Sequence, residues 1–284
     1  MRRRTPTVRA RRLGLELRQM RREAGLKLEP AAVLLERAPS SLSRIERGLQ
    51  MVRARDLPYI FDQYKIGQDD RRRHELVALA REANRPGWWQ EYDGLINDPY
   101  RDYISMENEA LEIGSYCPLL IPGLLQTEDY ARTVIDASRE WETAAQVEDA
   151  VKVRLARQDV LTRAERPLRL WTVIDEGVFR RTVGDPALMR TQLKSIVELA
   201  TALPTLTVQV MPYSAGAHAG LDGGFAILTF DGAPDVVTVN HLTSTVYLEE
   251  PPAVSRYNIA FDHLKSVALS PRQSIKTITE FTKE

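Results

Sequence analysis

The chain has 284 residues, 43% of them hydrophobic and 27% charged, enough for one large domain or for a small domain joined to a larger one. No stretch approaches the roughly 18 to 20 apolar residues that cross a bilayer, no apolar run follows the basic N-terminus, and Cys117 is the only cysteine; secretion, membrane insertion, an internal disulfide framework and a multi-cysteine zinc site are thereby disfavoured, and a cytoplasmic location is expected. The net charge of zero divides unevenly, with 15 basic against 5 acidic residues in 1–55 and 24 against 34 in 56–284, and a basic head on an acidic body points to a polyanion partner for the head alone.

Leu13, Leu17, Met20 and Ala24 recur at helical spacing, and Gly25 is a natural stop. Leu28, Ala31, Ala32 and Leu35 form a second stripe. Pro39 suits the first turn of a third helix whose inner face is Leu42, Ile45 and Leu49, with Gly48 as terminator. Leu57, Ile60, Phe61 and Tyr64 supply a fourth. Four short helices, the second and third separated by only a few residues, predict a compact helix-turn-helix head over 1–66.

A helical linker is expected over 67–100, with the stripe Leu76, Leu79, Ala80 and Ala83 ending before Pro86. The aromatic run Trp88-Trp89-Gln90-Glu91-Tyr92 reads better as a packed plug between domains than as a stacking platform. Residues 101–284 open with helices predicted over Tyr103–Ser115, Thr127–Ala137 and Thr143–Arg163. The period then changes. Strands are predicted at Leu168–Asp175, Leu206–Val210, Phe225–Phe230, Val236–Asn240 and Val246–Glu249, with helices at Pro186–Ala202, Ala253–Ala268 and Pro271–Thr282. The fold class is therefore mixed: an all-α head followed by a larger α+β domain with a sheet of about five strands covered by helices.

The runs Leu13-Gly14-Leu15-Glu16-Leu17-Arg18, Ala24-Gly25-Leu26 and Leu42-Ser43-Arg44-Ile45-Glu46-Arg47-Gly48 resemble the repressor-type helix-turn-helix of the xenobiotic-response-element (XRE) regulators. Further on, Leu76–Ala83 with Pro86-Gly87-Trp88-Trp89, Tyr103–Ala110, and Ile121-Pro122-Gly123-Leu124-Leu125-Gln126-Thr127-Glu128-Asp129-Tyr130-Ala131-Arg132 are similar to the long C-terminal domain of actinobacterial WhiJ-like, antitoxin-like regulators. So are Val173–Glu176, Val208–Pro212 and Ser214–Gly220. The resemblance spans roughly residues 12–282, and its Pro-Gly-Leu-Leu-Gln-Thr run is the most specific element. It implies a cytoplasmic DNA-binding transcriptional regulator, encoded beside a small protein that it binds.

In such a fold the third helix enters the major groove, which places Pro39, Ser40, Ser41 and Arg44 at base edges. Arg44 is able to fork onto guanine; its other reading is a phosphate contact. Lys27, Arg53, Arg55 and the N-terminal arginines suit phosphate. Glu46 resembles the acid that pairs with an arginine of the first helix, here Arg21, and so sets helix orientation. Three positions depart from the motif: Leu28 stands where a phosphate-binding Gln is usual, Glu36 where the turn usually has Gly, and Ala38 where the third helix usually has a Ser/Thr cap, a loss of about 1 kcal/mol.

The stretch Tyr213–Gly224 gathers His218, Gly220 and other glycines, and Asp175 and Glu176 close a predicted strand. It lacks the Gly-Lys-Ser/Thr of a phosphate loop and leads into a strand instead of a helix, and His218 has no second His or Cys at ligand spacing. No enzyme activity, cofactor or metal is expected. Asp175, Glu176, His218 and Gly220 are instead candidates for a ligand or partner loop. Double-stranded DNA is the expected partner, with a homodimer formed through the larger domain, because single heads of this type gain specificity by pairing about one helical turn apart. Two alternatives stand beside this reading: an interaction module with weakened or lost specific DNA binding, and a small-ligand sensor.

Overall fold

The computed structural model describes residues 8–83, 88–92, 95–138, 143–242 and 244–283. The chain forms two compact units, Met1–Glu91 with Asp98–Met106, and Tyr92–Asn97 with Glu107–Glu284.

The first unit begins with five helices, α1 (Val8–Glu23), α2 (Leu28–Leu34), α3 (Pro39–Glu46), α4 (Leu57–Gln63) and α5 (Arg71–Ala83). The predicted stripes meet in one core: Leu13, Leu17 and Met20 of α1, Ala31 and Ala32 of α2, Leu42 and Ile45 of α3, and Leu57, Ile60 and Phe61 of α4 are buried together. Leu76 and Ala80 of α5 lie in the same core. Arg73, 9% exposed, anchors α5 by donating to the Ile66 carbonyl at 2.9 Å and to Asp62 at 2.8 Å. Arg72 reaches back from α5 to Glu23 at the end of α1 at 2.9 Å. Beyond α5, Trp88 and Trp89 meet edge to face with ring centroids 5.8 Å apart, both half-buried.

The second unit is built on one six-stranded sheet, β1 (Glu112–Cys117), β2 (Arg169–Asp175), β3 (Leu206–Met211), β4 (Phe225–Thr229), β5 (Val236–Asn240) and β6 (Thr245–Leu248), in the order β3-β2-β1-β4-β5-β6. β1, β2 and β3 run parallel, whereas β4, β5 and β6 pair antiparallel. After α6 (Asp98–Glu109), whose residues to Met106 belong to the first unit, the second unit's helices are α7 (Glu128–Ala137), α8 (Ala144–Ala156), α9 (Glu176–Arg180), α10 (Pro186–Ala202), α11 (Pro251–Val267) and α12 (Pro271–Phe281). Phe261, Leu264 and Val254 of α11 cover one face of the sheet, packing with Tyr116, Val173, Met211, Phe225, Ile227 and Val237. The edge of β3 is closed by the chain around α12: the Val210 N–H donates to Ser274 Oγ and the Leu269 N–H to the Val210 carbonyl, both at 2.9 Å.

The sheet differs from the expectation at its centre. The helix predicted over Tyr103–Ser115 ends at Glu109, and the residues that follow form β1, the strand to which both halves of the sheet attach. Ala110, Leu111 and Ile113 continue a helical apolar spacing, but Gly114 must pass the ring of Phe261, where a Cβ would stand 2.6 Å from Cε1. Only an extended, side-chain-free backbone fits there. The helix predicted over Thr143–Arg163 likewise shortens to α8 and a 3-10 segment, Arg157–Leu161. Arg157 there forks onto Glu107, with Nε–Oε1 at 2.7 Å and Nη2–Oε2 at 2.8 Å and both side chains buried.

Candidate nucleic-acid interface

The turn between α2 and α3 is tight because the Glu36 N–H and Arg37 N–H return to the Val33 and Ala32 carbonyls, at 3.0 and 2.8 Å. Glu36 takes φ +53° there, a left-handed conformation that glycine adopts at no cost and other residues resist. α3 then starts with Pro39 in its first turn and Ala38 as an N-cap that provides no side-chain bond. The turn that follows α3 closes at Gly48, φ +71°, whose Cα passes so near the backbone of Ala10 and Arg11 that a Cβ would meet both within 3 Å.

What aims α3 is a buried ion pair. Arg21 Nε donates to Glu46 Oε1 at 2.6 Å and Nη2 to Oε2 at 2.8 Å, while Nη1 caps the Leu26 carbonyl at 2.7 Å. One guanidinium thus joins the end of α1, the loop into α2 and the end of α3, and the Glu46 carboxylate raises its pKa further. The resemblance anticipated this partner for Glu46. Tyr64, buried beside the same charges, has a hydroxyl with no hydrogen-bond partner among the described residues, and burial pushes it up to about 12.

Outward from this frame, Pro39, Ser40 and Arg44 are exposed and Ser41 half-exposed. The structure brings Ser41 and Arg44 together on a residue that sequence reasoning missed. Gln50 Oε1 accepts from Ser41 Oγ at 3.2 Å and from Arg44 Nε at 3.3 Å. Lys27, at the start of α2, and Arg53, before the 3-10 turn Ala54–Asp56, are exposed and make no ion pair among the described residues. Arg55 is 73% exposed and stands 3.7 Å from Asp56. Arg2, Arg3 and Arg4 lie outside the described residues.

This geometry agrees with what known families show. A model of a helix-turn-helix domain matches residues 12–74, and a model described as a domain of unknown function (DUF5753) matches residues 100–280. The chain belongs to the DUF5753 family. No curated protein and no solved structure matches it.

Within the DUF5753 domain, the Pro122–Thr127 run is a buried polar knot. Gln126 Nε2 donates to the Ile121 carbonyl at 2.7 Å and Gln126 Oε1 accepts from Arg154 at 2.8 Å. Gln192, fully buried, accepts from the Thr127 N–H and donates to the Leu125 carbonyl, both at 2.7 Å. Gln158 bonds the Gly123 and Gln126 carbonyls. A 3-10 turn with no regular ladder of its own is thereby satisfied by three amide side chains. Gly123 leaves the space that Arg154 and Arg157 cross.

Three of the four loop candidates, Asp175, His218 and Gly220, meet around Tyr116 at the C-terminal ends of the parallel strands, and Glu176 follows Asp175 at the start of α9. Tyr116 OH donates to Asp175 Oδ2 at 3.3 Å, its ring lies edge-on to His218 at 5.6 Å, and Gly220 passes so near it that a Cβ would stand 2.4 Å from Cε1. Asp175 Oδ1 accepts from the Gly177 N–H and Glu176 Oε2 from the Tyr213 N–H, each at 2.8 Å. His218 Nδ1 accepts from the Gly220 N–H at 3.1 Å. Burial, together with Asp175, raises the Tyr116 phenol well above its ordinary value. On the other face Ser115 bonds Thr172 at 3.0 Å, and burial pushes the Cys117 thiol up.

Proposed function

We propose that the protein is a DNA-binding transcriptional regulator of the XRE type, antitoxin-like in the manner of the actinobacterial WhiJ-like regulators. The observation that carries the reading is the outer surface of α3: Ser40 and Arg44 are exposed and Ser41 half-exposed, while the helix is locked from behind by Arg21 and Glu46. A rigid helix with hydrogen-bonding side chains on its outer face is what major-groove reading requires. Lys27, Arg53 and Arg55 add phosphate contacts. The DUF5753 domain dimerises and binds a small partner protein or ligand without chemistry of its own. In support, Asp175, Glu176 and His218 Nδ1 accept from the backbone N–H groups of Gly177, Tyr213 and Gly220, holding the loop and the start of α9. A cytoplasmic location suits such a role.

The test is a gel shift of the full chain against the DNA upstream of its own gene, titrated with salt, alongside light scattering. Binding that falls steeply with salt, as counterion release demands, and a dimer at micromolar concentration are expected. Salt-independent binding, or a monomer with one head per site, overturns the reading. A second reading is favoured by the left-handed Glu36 and the uncapped Ala38: a head that keeps its fold but has lost specific DNA binding, leaving a protein–protein interaction module. Equal affinity for upstream and random DNA would select it.

A further inference from the structure

We infer that Gln50 is a specificity-determining residue of the DNA site: it positions Ser41 and Arg44, and presents its amide N–H pair to a base with a carbonyl oxygen in the major groove, guanine or thymine, beside the guanine that Arg44 reads. This rests on the DNA-binding reading above. The orientation of the Gln50 amide follows from chemistry. Arginine has no acceptor, so the atom facing Arg44 Nε is the amide oxygen. The same oxygen takes the Ser41 hydroxyl proton.

Three consequences follow for the groove-facing surface. Arg44 has spent Nε and keeps Nη1 and Nη2, which have no partner among the described residues and suit an end-on fork onto guanine O6 and N7. Ser41, ambiguous when its proton is free to rotate, is left with lone pairs. Gln50 keeps only donors. The familiar glutamine reading of adenine needs both amide atoms, one accepting from N6 and one donating to N7. With the oxygen committed, that bidentate reading is closed: an N–H placed on adenine N7 would face the N6 amino donor with no acceptor to offer it, whereas guanine (O6 and N7) or thymine (O4) presents only acceptors to the remaining N–H groups. Gln50 lies beyond the end of α3 and outside the core, so its replacement leaves the head folded.

The experiment is selection from a random duplex library by the full chain and by Arg44→Ala, Gln50→Ala and Gln50→Glu. The wild-type motif is expected to contain a guanine, with discrimination of roughly 5- to 150-fold that Arg44→Ala abolishes. Gln50→Ala weakens the preference at that guanine and at the adjacent base. Gln50→Glu still accepts from Arg44 and Ser41, so the guanine persists, but its free atom is now an acceptor, and the adjacent position shifts from guanine or thymine to cytosine or adenine. An unchanged motif in both Gln50 variants overturns the assignment of Gln50 alone. A wild-type chain that enriches no sequence overturns the DNA-binding reading with it.

Discussion

Gly14 of α1 lies against the last turn of α3 so closely that a Cβ on it would stand 2.5 Å from the Ile45 carbonyl oxygen and 2.7 Å from that of Glu46. Both neighbours are backbone, so neither is able to swing aside. On helix propensity alone Gly14→Ala should gain about 1 kcal/mol. The clash outweighs this, and we expect a net loss of about 1–3 kcal/mol. Thermal unfolding checks it, with Gly67→Ala as the control, since a Cβ there meets nothing.

The Arg21–Glu46 pair predicts an asymmetry between its partners' loss and their shared replacement. Glu46→Ala strands a buried guanidinium and should cost about 3–5 kcal/mol. Replacing both with apolar residues of similar volume should cost far less. A Glu46→Ala head that unfolds at the wild-type temperature would remove the pair from its role in aiming α3.

Tyr64 gives a pH dependence with a definite sign. Its hydroxyl holds its proton to about pH 12 in the folded chain and to about pH 10 when unfolded. The folded state binds that proton more tightly, so the contribution is complete below pH 10 and is lost as pH rises toward 12, by at most about 3 kcal/mol. Tyr64→Phe removes an unsatisfied buried hydroxyl. It should be neutral to about 1 kcal/mol stabilising at pH 7, and its advantage over wild type should widen between pH 10 and 12. Denaturant melts at four pH values measure this.

In the turn before α3, Glu36→Gly should relieve the left-handed strain and Ala38→Ser should supply the missing cap. Each is expected to stabilise by about 0.5–1 kcal/mol. If both raise the melting temperature without changing the DNA sequence selected, the departures from the motif concern stability and not reading.

Gln192→Ala should destabilise the DUF5753 domain by about 2–4 kcal/mol, because it leaves the Thr127 N–H and the Leu125 carbonyl buried without partners. Limited proteolysis reports it locally, with cleavage at Pro122–Thr127 expected in the variant before the wild type.

The head was legible because its information is local. Leu13, Leu17, Met20, Leu42 and Ile45 each declare an inward face within one or two turns, and all are buried. Glu36 shows the limit of residue type: the turn keeps the left-handed geometry of glycine although the residue is not glycine. β1 was hidden for the opposite reason. Its Glu-Ile-Gly-Ser-Tyr-Cys run neither alternates nor forms an apolar block, and its strand identity comes from partners more than fifty residues away. Gln50 was missed because no periodicity marks a residue past the end of a helix; only its two hydrogen bonds do. In the Pro-Gly-Leu-Leu-Gln-Thr run, specificity of pattern was visible, whereas the buried amide network behind it needed Gln158 and Gln192 from distant elements.

The central position of β1 also sets a timetable for synthesis. Glu112 pairs with Arg169 on one side and with Thr229 on the other. At about 5–20 residues per second, the second partner emerges from the ribosome on the order of 6–25 s after β1. For that interval the middle strand of the sheet has at least one bare edge, while every helix that shares the core of the head has already been made. The nascent chain therefore needs shielding of residues 112–117 longest, and synonymous changes that slow translation between residues 117 and 229 should lower the soluble yield more than equal slowing elsewhere.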